Sequence, residues 1–72
     1  MEQKVISILA RMFKKDELVL SGATLLKEEL NVKSMNLLEI SAVLENELGL
    51  KIPMAGIMKV KSIQDILNLI QK

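Results

Sequence analysis

The groups able to do chemistry in this chain are few: serine hydroxyls, carboxylates and lysines. Among its 72 residues there is no Cys and no His. That removes disulfides, thiolate and imidazole metal ligands, Cys or His nucleophiles and the usual general base near neutral pH. No pair of Asp or Glu residues is marked by its spacing as a metal or acid/base site. Phe13 is the only aromatic residue, so the bases of single-stranded nucleic acid find nothing to stack on. What stands out is Ser34, at the head of a periodic run to Leu48 in which Glu39, Glu45 and Glu47 meet no Lys or Arg. In that position a serine is a good helix N-cap, and capping alone would account for its presence.

The elements that must position this serine follow from periodicity. A chain of this length allows one domain with one small core. Its content of 50% apolar and 26% charged residues is the balance of a soluble globular protein. Val5, Ile8, Leu9, Met12 and Phe13 recur at helical spacing from about Glu2 to Lys14, with Lys14 and Lys15 at the negative end of the helix dipole. The stretch Asp16 to Thr24 holds Ser21-Gly22 and loses the period, which predicts a long surface loop pinned by Leu18 and Leu20. Thr24 is placed to cap a brief turn through Leu25, Leu26 and Leu30, after which Asn31 tolerates left-handed geometry. The next helix starts at Ser34 and stops at Gly49, a preferred C-terminal cap. Pro53 opens a short helix from Met54 to Met58, and Ser62 caps a last one through Ile63, Ile66, Leu67 and Ile70. Four helices and no strand pattern predict an all-α irregular bundle with a long first connection, forming a single domain over residues 1–72. Met1-Glu2-Gln3-Lys4 followed by the short apolar run Val5 to Ala10 does not make a secretory signal, so a cytoplasmic location is expected.

On a helical wheel, Leu37, Ile40, Ser41, Leu44 and Leu48 form a stripe flanked by Val43 and Glu47, suited to the core. Met35, Leu38, Glu39, Ala42, Glu45 and Asn46 lie largely on the other side, an apolar spine edged with carboxylates that suits a docking partner. Burial of Met35 and Leu38 by neighbouring loops is the plainer reading of the same residues. The helix carries a local charge of −3 in a chain of net charge +1, which would steer it toward basic partners at low salt. A DNA-reading helix-turn-helix is disfavoured, since its recognition helix would need cations that this helix lacks.

The segment Glu29-Leu30-Asn31-Val32-Lys33-Ser34-Met35-Asn36 resembles the Asp-Leu-Gly-Ala-Asp-Ser-Leu-Asp motif of acyl carrier proteins. Without a gap, Leu37 to Leu48 follows the second helix of that family, Lys51-Ile52-Pro53 its Ile-Pro turn, and Val60 to Ile70, with Gln64, its closing segment. The resemblance covers nearly the entire chain. It implies a single acyl carrier domain: a four-helix, acyl-carrier-like bundle with a long first loop and a short third helix. It also implies that Ser34 receives 4′-phosphopantetheine from coenzyme A, placed by a separate phosphopantetheinyl transferase, and that the chain is not an enzyme. A phosphodiester at that position would meet free backbone N–H groups and the positive end of the helix dipole.

By the same resemblance, Met35, Leu38, Glu39, Ala42, Glu45 and Met58 would dock ketosynthases, acyltransferases or related acyl-processing enzymes through basic patches on those partners. Ile40, Val43, Leu44, Leu48, Ile52, Ile57, Val60 and Ile63 would line the interior in which such carriers shelter an acyl chain of fatty-acid or polyketide type. No metal, nucleic acid or membrane is implied, and a monomer is expected. The chain also departs from the pattern. Lys33 and Asn36 stand where the family has acids, and Met54-Ala55-Gly56-Ile57-Met58 lacks the customary carboxylates. These departures point to a dedicated set of partners. They also motivate an alternative, an unmodified carrier-like scaffold that acts only as a protein-interaction module.

Overall fold

In the computed structural model, which describes residues 2–70, the apolar positions of the first run close into α1 (Glu2–Phe13), burying Val5, Ile6, Ile8, Leu9 and Ala10. Lys14 ends α1 in left-handed geometry with φ 56°, and the Lys15 N–H reaches back to the Ala10 carbonyl at 2.9 Å. The brief turn expected after Thr24 is long enough to form α2 (Leu26–Leu30). It is followed by α3 (Ser34–Leu48), the short α4 (Met54–Ile57) and α5 (Ile63–Ile70). The all-α bundle with its long first connection is therefore observed, with α2 added to the four expected helices.

Local stop signals act as the sequence predicts. Asn31 closes α2 in left-handed geometry (φ 56°), and Gly49 closes α3 likewise (φ 65°), its N–H donating to the Glu45 carbonyl. Pro53 stands at the N-cap of α4. Ser62 Oγ accepts from the Asp65 N–H at 3.2 Å while Asp65 Oδ2 accepts from the N–H groups of Lys61 and Ser62 at 2.9 and 3.3 Å. These bonds satisfy donors that the start of α5 would otherwise leave open.

α1 packs against α3 and α5, and α4 packs against the same two helices. Leu9, Leu26, Ile40, Leu44, Ile57, Ile63 and Ile66, drawn from all five helices, have almost no exposed surface. Full burial of a side chain of this kind stabilises the fold by about 1.5–3 kcal/mol, so this shared cluster is the main force holding α3 in place.

The long connection is held differently from the sequence expectation. Leu20 is buried, but Leu18 is 91% exposed and pins nothing. The pin is polar. A 3-10 turn at Glu17–Val19 begins with Asp16 Oδ1 accepting from the Leu18 N–H. The Glu17 carboxylate then accepts from Gln3 Nε2 at 2.7 Å and Ser7 Oγ at 3.2 Å, tying the loop to α1. Thr24 does not cap α2. Its Oγ1 turns back into the loop to accept from the Ser21 N–H at 2.9 Å, and the Leu25 N–H is met instead by Glu29 Oε2 at 2.8 Å. The end of the loop lies against the start of α5 through three main-chain bonds: Gln64 N–H to Gly22 O, Ile63 N–H to Thr24 O, and Leu26 N–H to Lys61 O, at 2.8–3.1 Å. A Cβ on Gly22 would sit 2.8 Å from Gln64 Oε1, the end of an exposed side chain that can turn aside.

Candidate functional site

Ser34 is delivered by the end of α2. Leu30 and Val32 are buried, and the Val32 N–H bonds back to the Leu26 carbonyl at 3.0 Å, so the chain leaves α2 with Asn31 and Lys33 outward. Ser34 is the first helical residue of α3, not its cap. The N-cap is Lys33, in extended geometry (φ −112°, ψ 172°), and its N–H donates to Asn36 Oδ1 at 2.9 Å. An ammonium group has no lone pair to return the bond, so Asn36 supplies the capping alone. The Ser34 hydroxyl is thereby freed from any structural duty, being exposed and making no hydrogen bond among the described residues.

Two clefts meet at this serine. One, of about 380 Å³, is lined by Lys27, Asn31, Val32, Lys33 and Ser34; the other, of about 630 Å³, by Lys33, Ser34, Met35, Asn36 and Glu39. The first contains two cations and no carboxylate. A phosphodiester on Ser34 would meet Lys27 and Lys33 on that side and the first turn of α3 behind it, so the residues present fit such a group. Among the described residues no group of three or more acidic side chains is placed to hold a metal ion. No helix of the described residues is long and apolar enough to cross a membrane.

The outer side of α3 is as apolar as its wheel predicts. Met35 is 81% exposed and Leu38 43%, with Glu39 and Ala42 exposed beside them; Met58 and Met54, on or next to the adjoining α4, are 42% and 67% exposed. The plainer reading, burial of Met35 and Leu38 under loops, does not hold. The inner stripe behaves as expected: Leu37, Ile40 and Leu44 are buried, and Ser41, Val43 and Leu48 are half-buried, while Glu47 is exposed. Ile40, Leu44, Ile52, Ile57, Val60 and Ile63 belong to the one buried cluster, and Val43 and Leu48 pack against it.

Two of the three glutamates that make α3 acidic have roles the sequence does not disclose. Glu45 is half-buried, and its Oε2 accepts from the Ile52 N–H at 2.6 Å, fastening the connection to α4. Glu47 pairs with Arg11 of α1, and that hydrogen bond, with the Glu47 charge second, raises the guanidinium pKa above its ordinary value. Glu39 alone of the three has no hydrogen bond or ion pair among the described residues. Neither partner is visible on a helical wheel, because Arg11 lies 36 residues from Glu47 and Ile52 lies beyond the helix end.

Comparison with known proteins agrees with this geometry. Residues 3–70 match the family described as "Phosphopantetheine attachment site". The chain is similar to the acyl carrier proteins of Rickettsia typhi (strain ATCC VR-144 / Wilmington) and Rickettsia prowazekii (strain Madrid E), each 30% identical over 71 residues, 99% of this chain and 83% of theirs. The acyl carrier protein of Rickettsia canadensis (strain McKiel) matches to the same extent, 30% over 71 residues. With a fold, an exposed helix-head serine and a match spanning nearly every residue in agreement, the chain belongs to the acyl carrier proteins, whose cofactor is a covalent 4′-phosphopantetheine.

Proposed function

We propose that Ser34 is the attachment residue and that the chain carries acyl groups between biosynthetic enzymes of fatty-acid or polyketide type without catalysing any step. When bound, the arm supplies a terminal thiol that holds an acyl group as a thioester. The protein's own part is to present the hydroxyl. α3 holds Ser34 outward at its first turn, and Lys27 and Lys33 supply positive charge to the cleft in which a phosphodiester would lie. Met35, Leu38, Glu39, Ala42 and Met58 offer the surface on which a phosphopantetheinyl transferase, and then ketosynthases, acyltransferases or related enzymes, would dock. Glu45 contributes by holding the α3–α4 connection. The buried side chains Ile40, Val43, Leu44, Leu48, Ile52, Ile57, Val60 and Ile63 are the proposed shelter for an acyl chain. The working form is proposed to be a cytoplasmic monomer.

The observation that carries this reading is the Ser34 hydroxyl, exposed and relieved of capping by Asn36. It also makes the test clean. Incubated with coenzyme A and a phosphopantetheinyl transferase, the wild type should gain one arm by intact mass, and Ser34→Ala should gain none while keeping its helical circular dichroism. Wild-type protein that stays unmodified with several transferases, and when isolated from its native source, would overturn the proposal in favour of an unmodified interaction scaffold.

A further inference from the structure

Resting on the role proposed for Ser34, we infer that Lys27 is a positioning residue for the arm: with Lys33 it holds the phosphodiester in the cleft on the α2 side and keeps the root of the arm off the apolar face of α3. Ser34 and Lys33 line both clefts at this point and make no choice between them. The cleft on the α2 side adds Lys27, Asn31 and Val32, whereas the other adds Met35, Asn36 and Glu39. One cleft therefore brings a second cation to an anion at Ser34, and the other brings a carboxylate.

Both lysines are exposed, and neither forms an ion pair among the described residues. One turn on from Lys27 the chain offers Leu30 and Asn31, with no carboxylate to engage it. Glu29 reaches back to the Leu25 N–H, and neither it nor Glu28 lines a cleft beside Ser34. On the α3 side, Asn36 Oδ1 is committed to the Lys33 N–H, and Glu39 has no partner among the described residues to mask its charge. The lysines lining the two clefts are matched in charge by Glu39 and one phosphodiester. What the surface offers the arm is thus a direction rather than an excess of charge. Attraction to one exposed lysine and repulsion by one exposed carboxylate each shift an equilibrium by at most about five-fold, and together they favour the α2 side by about ten-fold at low salt. Met35 and Glu39 line the other cleft and belong to the proposed docking face, so an arm rooted along α2 leaves them uncovered.

The test compares amide chemical shifts of the full chain before and after loading with the arm, with loading confirmed by intact mass, at about 20 and about 300 mM NaCl, a range over which surface charges pass from weakly to strongly screened. Esterification itself moves the amides next to Ser34, so the reporters are Asn31 in one cleft and Glu39 in the other. At low salt the Asn31 amide should move at least about three-fold more than that of Glu39, and high salt should remove at least about half of the excess. Lys27→Gln, seven residues from the serine, should abolish the excess, and Lys27→Arg, which keeps the charge, should restore it. Lys15→Gln, on the side of the loop after α1 and lining neither cleft, should leave it unchanged. Equal movement of the two reporters, larger movement at Glu39, or a Lys27→Gln protein that keeps the wild-type excess would each overturn the inference. If no transferase loads the wild type, the reading of Ser34 itself fails, so the two failures are told apart.

Discussion

Replacing Glu45 tests whether the acidic helix is partly a structural device. Its Oε2 accepts from the Ile52 N–H at 2.6 Å in a half-buried setting. That bond holds the segment leading to Pro53 and α4, along which Ile52 and Ile57 enter the core. A hydrogen bond to a charged group contributes about 1.5–3 kcal/mol, and leaving its partner unsatisfied adds desolvation. Glu45 keeps some contact with water, so Glu45→Ala should lose about 2 kcal/mol, toward the lower half of that range. In a domain of this size that corresponds to a fall in Tm of about 8–16 °C. Glu45→Gln keeps an acceptor without the charge and should lose about half as much. Urea unfolding followed by circular dichroism measures both, and amide hydrogen exchange at Ile52 should quicken in the alanine variant. If both variants stay within about 0.5 kcal/mol of wild type, with Ile52 exchange unchanged, the carboxylate is not fastening the connection and its place is on the docking surface alone.

Asn36→Ala should cost about 1 kcal/mol in urea unfolding by removing the cap of α3, whereas Ser34→Ala, which removes no hydrogen bond, should cost no more than a few tenths. Reversed costs would return the capping role to the serine. At Gly49 (φ 65°) a Cβ would meet nothing within 4 Å, so Gly49→Ala should lose about 1 kcal/mol from backbone geometry alone and Gly49→Asn less. Ser62→Ala and Asp65→Ala share one capping arrangement; each should cost about 1 kcal/mol, with the double variant costing clearly less than their sum.

What is legible in the sequence is written within a turn or two of chain. Asn31, Gly49, Pro53 and Ser62 stop or start helices by their own backbone or side-chain chemistry, and the spacing of Leu37, Ile40 and Leu44 names the buried side of α3 without reference to anything else. Sequence and structure part where one residue has two possible local uses. Ser34 and Thr24 are both good caps, but the side-chain bonds at these helix starts come from inside the helices, where Asn36 and Glu29 reach back to the N–H groups of Lys33 and Leu25. Leu18 is apolar, yet the bonds that hold its turn belong to Asp16 and Glu17, and the side chain is left outside. The acidity of α3 can be counted from its residues, but its distribution cannot, because the partners of Glu45 and Glu47 come from other parts of the chain.

The three main-chain bonds joining residues 22–26 to 61–64 make those segments the two halves of a clasp, with everything from α2 to α4 enclosed between them. Removing the segment from Lys61 onward would open it from behind. The first connection would lose its backbone partners, Leu26 its buried surroundings at α5, and the serine its orientation, although no atom near the serine had been touched. Presentation of the hydroxyl is thus a property of the closed ring, and damage to the tail should be read out at the head of α3, through Leu26 and Val32.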